Sequence, residues 1–139
     1  MPVSNKSCVL DTSALFCLRD NEDGAGKVES VLRHKTVYLS FVSLTEYFYI
    51  LYQKQGRDEA YRAYLELKIM PVTIVESNES LRLLAGEIKA LFPVSFADAW
   101  VAATAESLGV ELIHKDPEFE SLSDRLVLNP LPYKAKLKS

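Results

Sequence analysis

Four acidic residues stand where a carboxylate could do chemistry. Asp11 directly follows Val9-Leu10, Glu46 lies three residues after Ser43, Asp98 three after Ser95, and Asp116 just past Leu112-Ile113. Each has an ordinary structural role open to it. Asp11 and Asp116 suit helix N-caps, the latter with Pro117 at the next position. Ser43-x-x-Glu46 reads as a capping box, and Ser95-x-x-Asp98 nearly as one. Together they pose a different problem, because carboxylates gathered without a balancing cation push protons back onto one another. No Lys or Arg adjoins Asp11, Glu46 or Asp98, and only Lys115 neighbours Asp116. A hard divalent cation would resolve that repulsion. An all-oxygen ligand set without a Cys/His grouping selects Mg²⁺ or Mn²⁺ over zinc. Such an ion lowers the pKa of a bound water and screens charge building on a phosphoryl group.

The elements that must bring these acids together are legible as short apolar runs alternating with helical patterns. Strands are expected at Cys8 to Leu10, Thr36 to Ser40, Pro71 to Val75, Val110 to Ile113 and Leu126 to Leu128. Helices are expected over Thr12 to Arg19, Lys27 to His34, Ser43 to Gln55 and Arg57 to Lys68. Two more follow, one capped by Asn78 and stopped by Pro93, the other from Ser95 to Leu108 and closed by Gly109. Strands alternating with helices imply crossover connections and a mostly parallel sheet covered on both faces. In such sheets ligands bind at the carboxyl ends of the strands. That edge is where Asp11, Glu46 and Asp116 fall, with Asp98 joining them if its helix starts at the same edge. Glu46 and Asp98 are each expected in the first turn of their helix.

Other chemistries fit less well. An aspartyl-phosphate enzyme of the haloacid-dehalogenase type wants a second Asp two residues after the first, and Ser13 stands there. The chain has five glycines and no GxGxxG phosphate loop. His34 and His114 lack the surroundings of a Ser/His/Asp triad and read as helix-end and strand-end residues. The aromatic stretch from Tyr47 to Tyr52, with Tyr61 and Tyr64, reads as core or interface surface rather than a base-stacking platform. Trp100 reads as a packing residue.

The 139 residues are 48% hydrophobic and 25% charged, a composition that excludes disordered and collagen-like classes. No run approaches the roughly 18 apolar residues of a membrane span. Cys8 and Cys17 make neither a disulfide framework nor a zinc site, and the polar start lacks a signal-peptide core, so a cytoplasmic location is expected. The net charge of −3 argues against a non-specific nucleic-acid coat protein. One bound divalent ion would bring that charge to −1 and two to +1.

The residues around the acids resemble the motifs of PIN-domain ribonucleases. Val9-Leu10-Asp11-Thr12-Ser13 matches the opening motif, and Ser43-Leu-Thr-Glu46-Tyr-Phe matches the helix with an early acid. Ser95-Phe-Ala-Asp98-Ala-Trp-Val-Ala-Ala-Thr-Ala105 is the most specific match, and Leu112-Ile-His-Lys-Asp116-Pro-Glu-Phe119 completes the set in order. The resemblance runs from Cys8 to about Leu128, and size and layout look most like the VapC toxins of type II toxin–antitoxin modules. It implies a PIN-like three-layer α/β/α sandwich with a central parallel sheet. One domain over residues 1–139 is expected, with 133–139, rich in lysine and without an acid, as a flexible basic tail. The implied activity is a Mg²⁺- or Mn²⁺-dependent endoribonuclease that hydrolyses RNA phosphodiesters with metal-activated water. Asp11, Glu46, Asp98 and Asp116 would be its catalytic, metal-binding acids. Ser13 matches a supporting hydroxyl position, and Glu118 falls where some relatives carry an extra acid. Many relatives have Thr or Ser where this chain has His114, which leaves open what supports Asp116. The implied partners are an RNA substrate, a small antitoxin protein and a second copy of the chain. An RNA-processing PIN nuclease without an antitoxin, or a PIN-fold binding module that does not cut RNA, are the alternatives.

Overall fold

In the computed structural model, which describes residues 4–134, five strands form one sheet: β1 (Ser4–Leu10), β2 (Thr36–Ser40), β3 (Val72–Val75), β4 (Val110–His114) and β5 (Leu128–Pro130). Their order is β3-β2-β1-β4-β5 and every neighbouring pair is parallel. Helices α1 (Thr12–Arg19) and α2 (Ala25–His34) connect β1 to β2, and α3 (Phe41–Gln55) and α4 (Arg57–Ile69) connect β2 to β3. Helices α5 (Glu79–Leu91) and α6 (Phe96–Leu108) return the chain from β3 to β4, on the far side of β1. A 3₁₀ turn, Pro117–Leu122, precedes β5.

The two faces of the sheet explain why its strands are apolar throughout. Successive strand side chains point to opposite faces. Cys8, Leu10, Val37, Leu39 and Ile113 therefore pack into a core with α1 to α4, whereas Val9 and Leu112 pack into a second core with α5, α6 and the 3₁₀ turn. The direction of winding reverses at the third crossover, and with a constant crossover hand the helices change face. The result is the expected α/β/α sandwich. Among the described residues no helix is long and apolar enough to cross a membrane.

The aromatics are mostly packing groups. Tyr47 is buried with its ring 4.9 Å from Phe16, and Phe48 sits among Tyr52, Tyr61 and Tyr64. Trp100 packs edge-on to Phe41 at 5.0 Å.

Of the boundaries that depart from expectation, two have a clear local cause. Helix α3 begins at Phe41 because Ser40, the last residue of β2, is itself the N-cap and accepts the Val42 N–H at 3.3 Å. Ser43 is therefore buried inside the first turn rather than capping it, and Glu46 lies in the second turn. The last strand begins at Leu128, not Leu126, because the Arg125 and Leu126 amides both donate back to the Leu122 carbonyl. Leu126 is spent closing that turn and is buried in the second core. Of the expected basic tail, Tyr133 bonds to Glu120 and Lys134 pairs with Glu22. Residues 135–139 lie outside the described residues.

Candidate metal centre

The chain winds outward from β1 to β3 and then returns to β4, so the carboxyl ends of β1 and β4 flank a topological switch point, where open α/β sheets bind ligands. Asp11 leaves the end of β1 with its N–H still bonded to the Ile113 carbonyl of β4 at 3.2 Å. It is the N-cap of α1, and its Oδ1 accepts the Ala14 N–H at 2.9 Å. Ser13 Oγ donates to the same carboxylate at 2.7 Å and accepts the Lys115 N–H at 2.8 Å. One hydroxyl thus ties the first acid to the strand end that carries the last.

Asp116 caps the 3₁₀ turn, with Oδ1 accepting the Glu118 N–H at 2.9 Å, while its own N–H donates to His114 Nδ1 at 3.2 Å. Asp98 sits in the first turn of α6, where its N–H donates to the capping hydroxyl of Ser95 at 3.1 Å. Ser95 and Asp98 thus make the one-sided cap that the sequence spacing suggested. The helix itself is buried along one continuous run from Asp98 to Ala105, since alanines let it lie close to the sheet. Gly109 ends it in the left-handed conformation, φ 66°.

These acids open onto one cavity of about 390 Å³, lined by Asp11, Ser13, Glu46, Ser95, Asp98, Asp116 and Glu118. Within it, carboxylate oxygens of Asp98, Asp116 and Glu118 lie within 4.8 Å of one another. The structure therefore brings all four expected acids to one place and gives Glu118 a closer position than its sequence signal suggested. Asp11 and Glu46 line the cavity beside that three-acid group.

The electrostatics are those of an uncompensated anionic site. Asp11, only 2% exposed, has its pKa raised from 3.8 to about 7 by burial, against the pull of hydrogen bonds from Ser13 and Ala14. Asp98 is pushed up as well, by burial first, then by its closeness to Glu118, Asp116 and Asp11. The nearby cations do not relieve this. Lys115 points away, to Glu22 at 3.2 Å and the Asp23 carbonyl at 3.0 Å, and Lys134 meets the other oxygen of Glu22 at 2.9 Å. Lys115 and Lys134 line the cavity while engaged with Glu22, and Lys54, remote in sequence from the acids, lines it as well.

The donor set fits a hard divalent ion. It offers only oxygen, three carboxylates already share one small volume, and burial together with neighbouring acids raises the pKa of Asp11 and Asp98, a cost that a cation would offset. His114 contributes no ligand atom to this group: it is buried, and its Nδ1 is occupied by the Asp116 amide.

The PIN domain model matches residues 8–124 of the sequence. No curated protein matches the sequence. Among solved structures, the chain superposes on VapBC2 from Rickettsia felis bound to a promoter DNA fragment, with a TM-score of 0.73 and 15% identity, covering 91% of this chain and 99% of that one. VapBC-1 from nontypeable Haemophilus influenzae gives a TM-score of 0.69 at 26% identity, covering 89% and 97%. Mycobacterium tuberculosis VapC20, a sarcin-ricin-loop-cleaving toxin, gives 0.67 at 21% identity, covering 81% and 92%. The family match spans most of the sequence and takes in all four acids, and the chain belongs to the PIN domain family.

Proposed function

We propose that this chain is a metal-dependent endoribonuclease, the toxin of a toxin–antitoxin pair, in which Asp11, Glu46, Asp98 and Asp116 form the catalytic and metal-binding set. The observation that carries the reading is the acid cluster at the carboxyl ends of β1 and β4, in which burial raises the pKa of Asp11 and Asp98. A divalent ion held there, Mg²⁺ or Mn²⁺, supplies an acidified water and screening of the phosphoryl charge.

The protein's part is positioning. Asp98, Asp116 and Glu118 present their oxygens from a helix start and a 3₁₀ turn, elements that fix direction better than a free loop. Ser13 holds the Asp11 carboxylate in one orientation. Glu46, on α3, lines the same cavity and completes the set. Lys54 and Lys134 line the cavity with positive charge suited to a phosphate backbone. No side-chain nucleophile is required.

VapBC neighbours support an antitoxin partner for this chain as well. The exposed apolar residues of α3 and α4, including Tyr49, Tyr52, Tyr61, Leu65 and Ile69, supply the surface for that partner or for a second copy. We read residues 1–139 as one PIN-like domain acting in the cytoplasm. The test is an RNA cleavage assay with Mn²⁺ or EDTA, beside an Asp98→Asn variant. The reading expects cleavage with Mn²⁺ alone. Cleavage that survives both EDTA and the substitution overturns it. Growth arrest on expression, rescued by a neighbouring small protein, tests the toxin assignment separately.

A further inference from the structure

The imidazole of His114 is fully buried at the end of β4, and its two nitrogens are in different situations. Nδ1 accepts the N–H of Asp116 at 3.2 Å, whereas Nε2 has no hydrogen-bond partner among the described residues. A nitrogen that accepts an amide proton carries none of its own, so the ring is the neutral Nε2–H tautomer. A buried donor left unpaired is destabilising. The ring lies 5.1 Å from Phe119 and 6.1 Å from Tyr133, a place that a phenyl group would fill without that cost. What the imidazole adds there is the acceptor.

We propose that His114 is a positioning residue of the metal centre, whose Nδ1 closes the turn to Asp116 and so sets how that carboxylate leaves the end of β4. The inference rests on the metal-centre reading above and goes beyond it. Two consecutive amides at this strand end are held by side chains: Lys115 N–H by Ser13, which also holds Asp11, and Asp116 N–H by His114. With its backbone fixed by His114 and Oδ1 engaged by the Glu118 N–H, the Asp116 carboxylate is held within the group it forms with Asp98 and Glu118. The hydroxyl of a Thr or Ser at position 114 could accept the same amide proton. His114 therefore fills by its ring nitrogen the place that a hydroxyl fills by its oxygen.

Two substitutions separate this role from packing. His114→Phe keeps the ring contacts and removes the acceptor, while His114→Thr keeps an acceptor and removes the ring. Mn²⁺ affinity is measured by electron paramagnetic resonance on the full chain, with melting temperature in EDTA recorded for each variant. His114→Phe is expected to stay folded and lose Mn²⁺ affinity about 10–100-fold, the usual effect of removing a group that orients a ligand. His114→Thr is expected to melt lower yet bind Mn²⁺ within about threefold of the unaltered protein, well short of that loss. Wild-type affinity in His114→Phe, or equal loss in both variants, overturns the proposal. Absence of Mn²⁺ binding by the unaltered chain overturns the metal-centre reading itself, and the inference with it.

Discussion

Replacing Asp11 by Asn should stabilise the metal-free protein, and the gain should grow with pH. The Asp11 pKa of about 7 in the fold, against an ordinary 3.8, means that the folded state holds a proton the unfolded chain has released. Stability is therefore lost as pH rises from 3.8 to 7 and stays lost above it. At about 1.4 kcal/mol per pH unit, the gap corresponds to about 4 kcal/mol at pH 8, but only about 1 kcal/mol at pH 4.5. Asn removes the charge and retains an acceptor for the Ala14 N–H, since Asn and Asp cap helices about equally well. Trp100, the sole tryptophan and buried, reports unfolding by fluorescence. In EDTA at pH 8 the urea midpoint of Asp11→Asn should exceed that of the unaltered protein by about 1 M or more, given slopes of about 1–3 kcal/mol per M. Mn²⁺ should narrow that difference, adding about 2.7 kcal/mol to the unaltered protein at 100 times its dissociation constant and about 4.1 kcal/mol at about 1,000 times, where the two midpoints should meet, and little to the variant. An Asp11→Asn gain that is the same at pH 4.5 and pH 8 would refute the argument that burial holds a proton on Asp11.

Three further outcomes follow from the same contacts. Ser13→Ala strips the Lys115 N–H and the Asp11 carboxylate of their shared partner, and should lower stability by about 1–3 kcal/mol by urea unfolding and weaken Mn²⁺ binding in titration calorimetry. Phe119→Ala, removing a fully buried ring beneath the 3₁₀ turn, should cost about 3–5 kcal/mol in the same unfolding assay and disturb Asp116 and Glu118 with it. Gly24→Ala meets both a φ of +102° and a contact of 3.1 Å to Pro132, so its melting temperature should fall by several degrees, about 1 kcal/mol or more, with Mn²⁺ affinity unchanged.

Much of the site could be read from the chain because its acids double as structural punctuation. Asp11 and Asp116 cap the segments that leave β1 and β4, so the local rules that end a strand also place these carboxylates on one edge. Asp98 follows by the same logic from the Ser95 cap. Glu46 falls one turn later in α3 than its spacing from Ser43 predicts, because Ser40 serves at once as strand residue and N-cap and nothing in Phe41-Val42 distinguishes strand from helix. The last strand was shifted because Leu126 and Leu128 are equally apolar, and only the hydrogen bonds to Leu122 separate them. What local pattern could not carry is contact at long range. The pairing of Glu22 with both Lys115 and Lys134, and the closeness of Glu118 to Asp98, depend on elements that meet only in the folded sheet. His114 is the instructive case: its residue type suggested a strand end, and its ring nitrogen turned out to hold Asp116.

An anomalous difference map from a crystal soaked in Mn²⁺ tests the metal centre most directly. A peak is expected among the carboxylates of Asp98, Asp116 and Glu118, in the cavity that Asp11 and Glu46 also line. A map with no peak there, from protein that still cleaves RNA in the soak buffer, would contradict it.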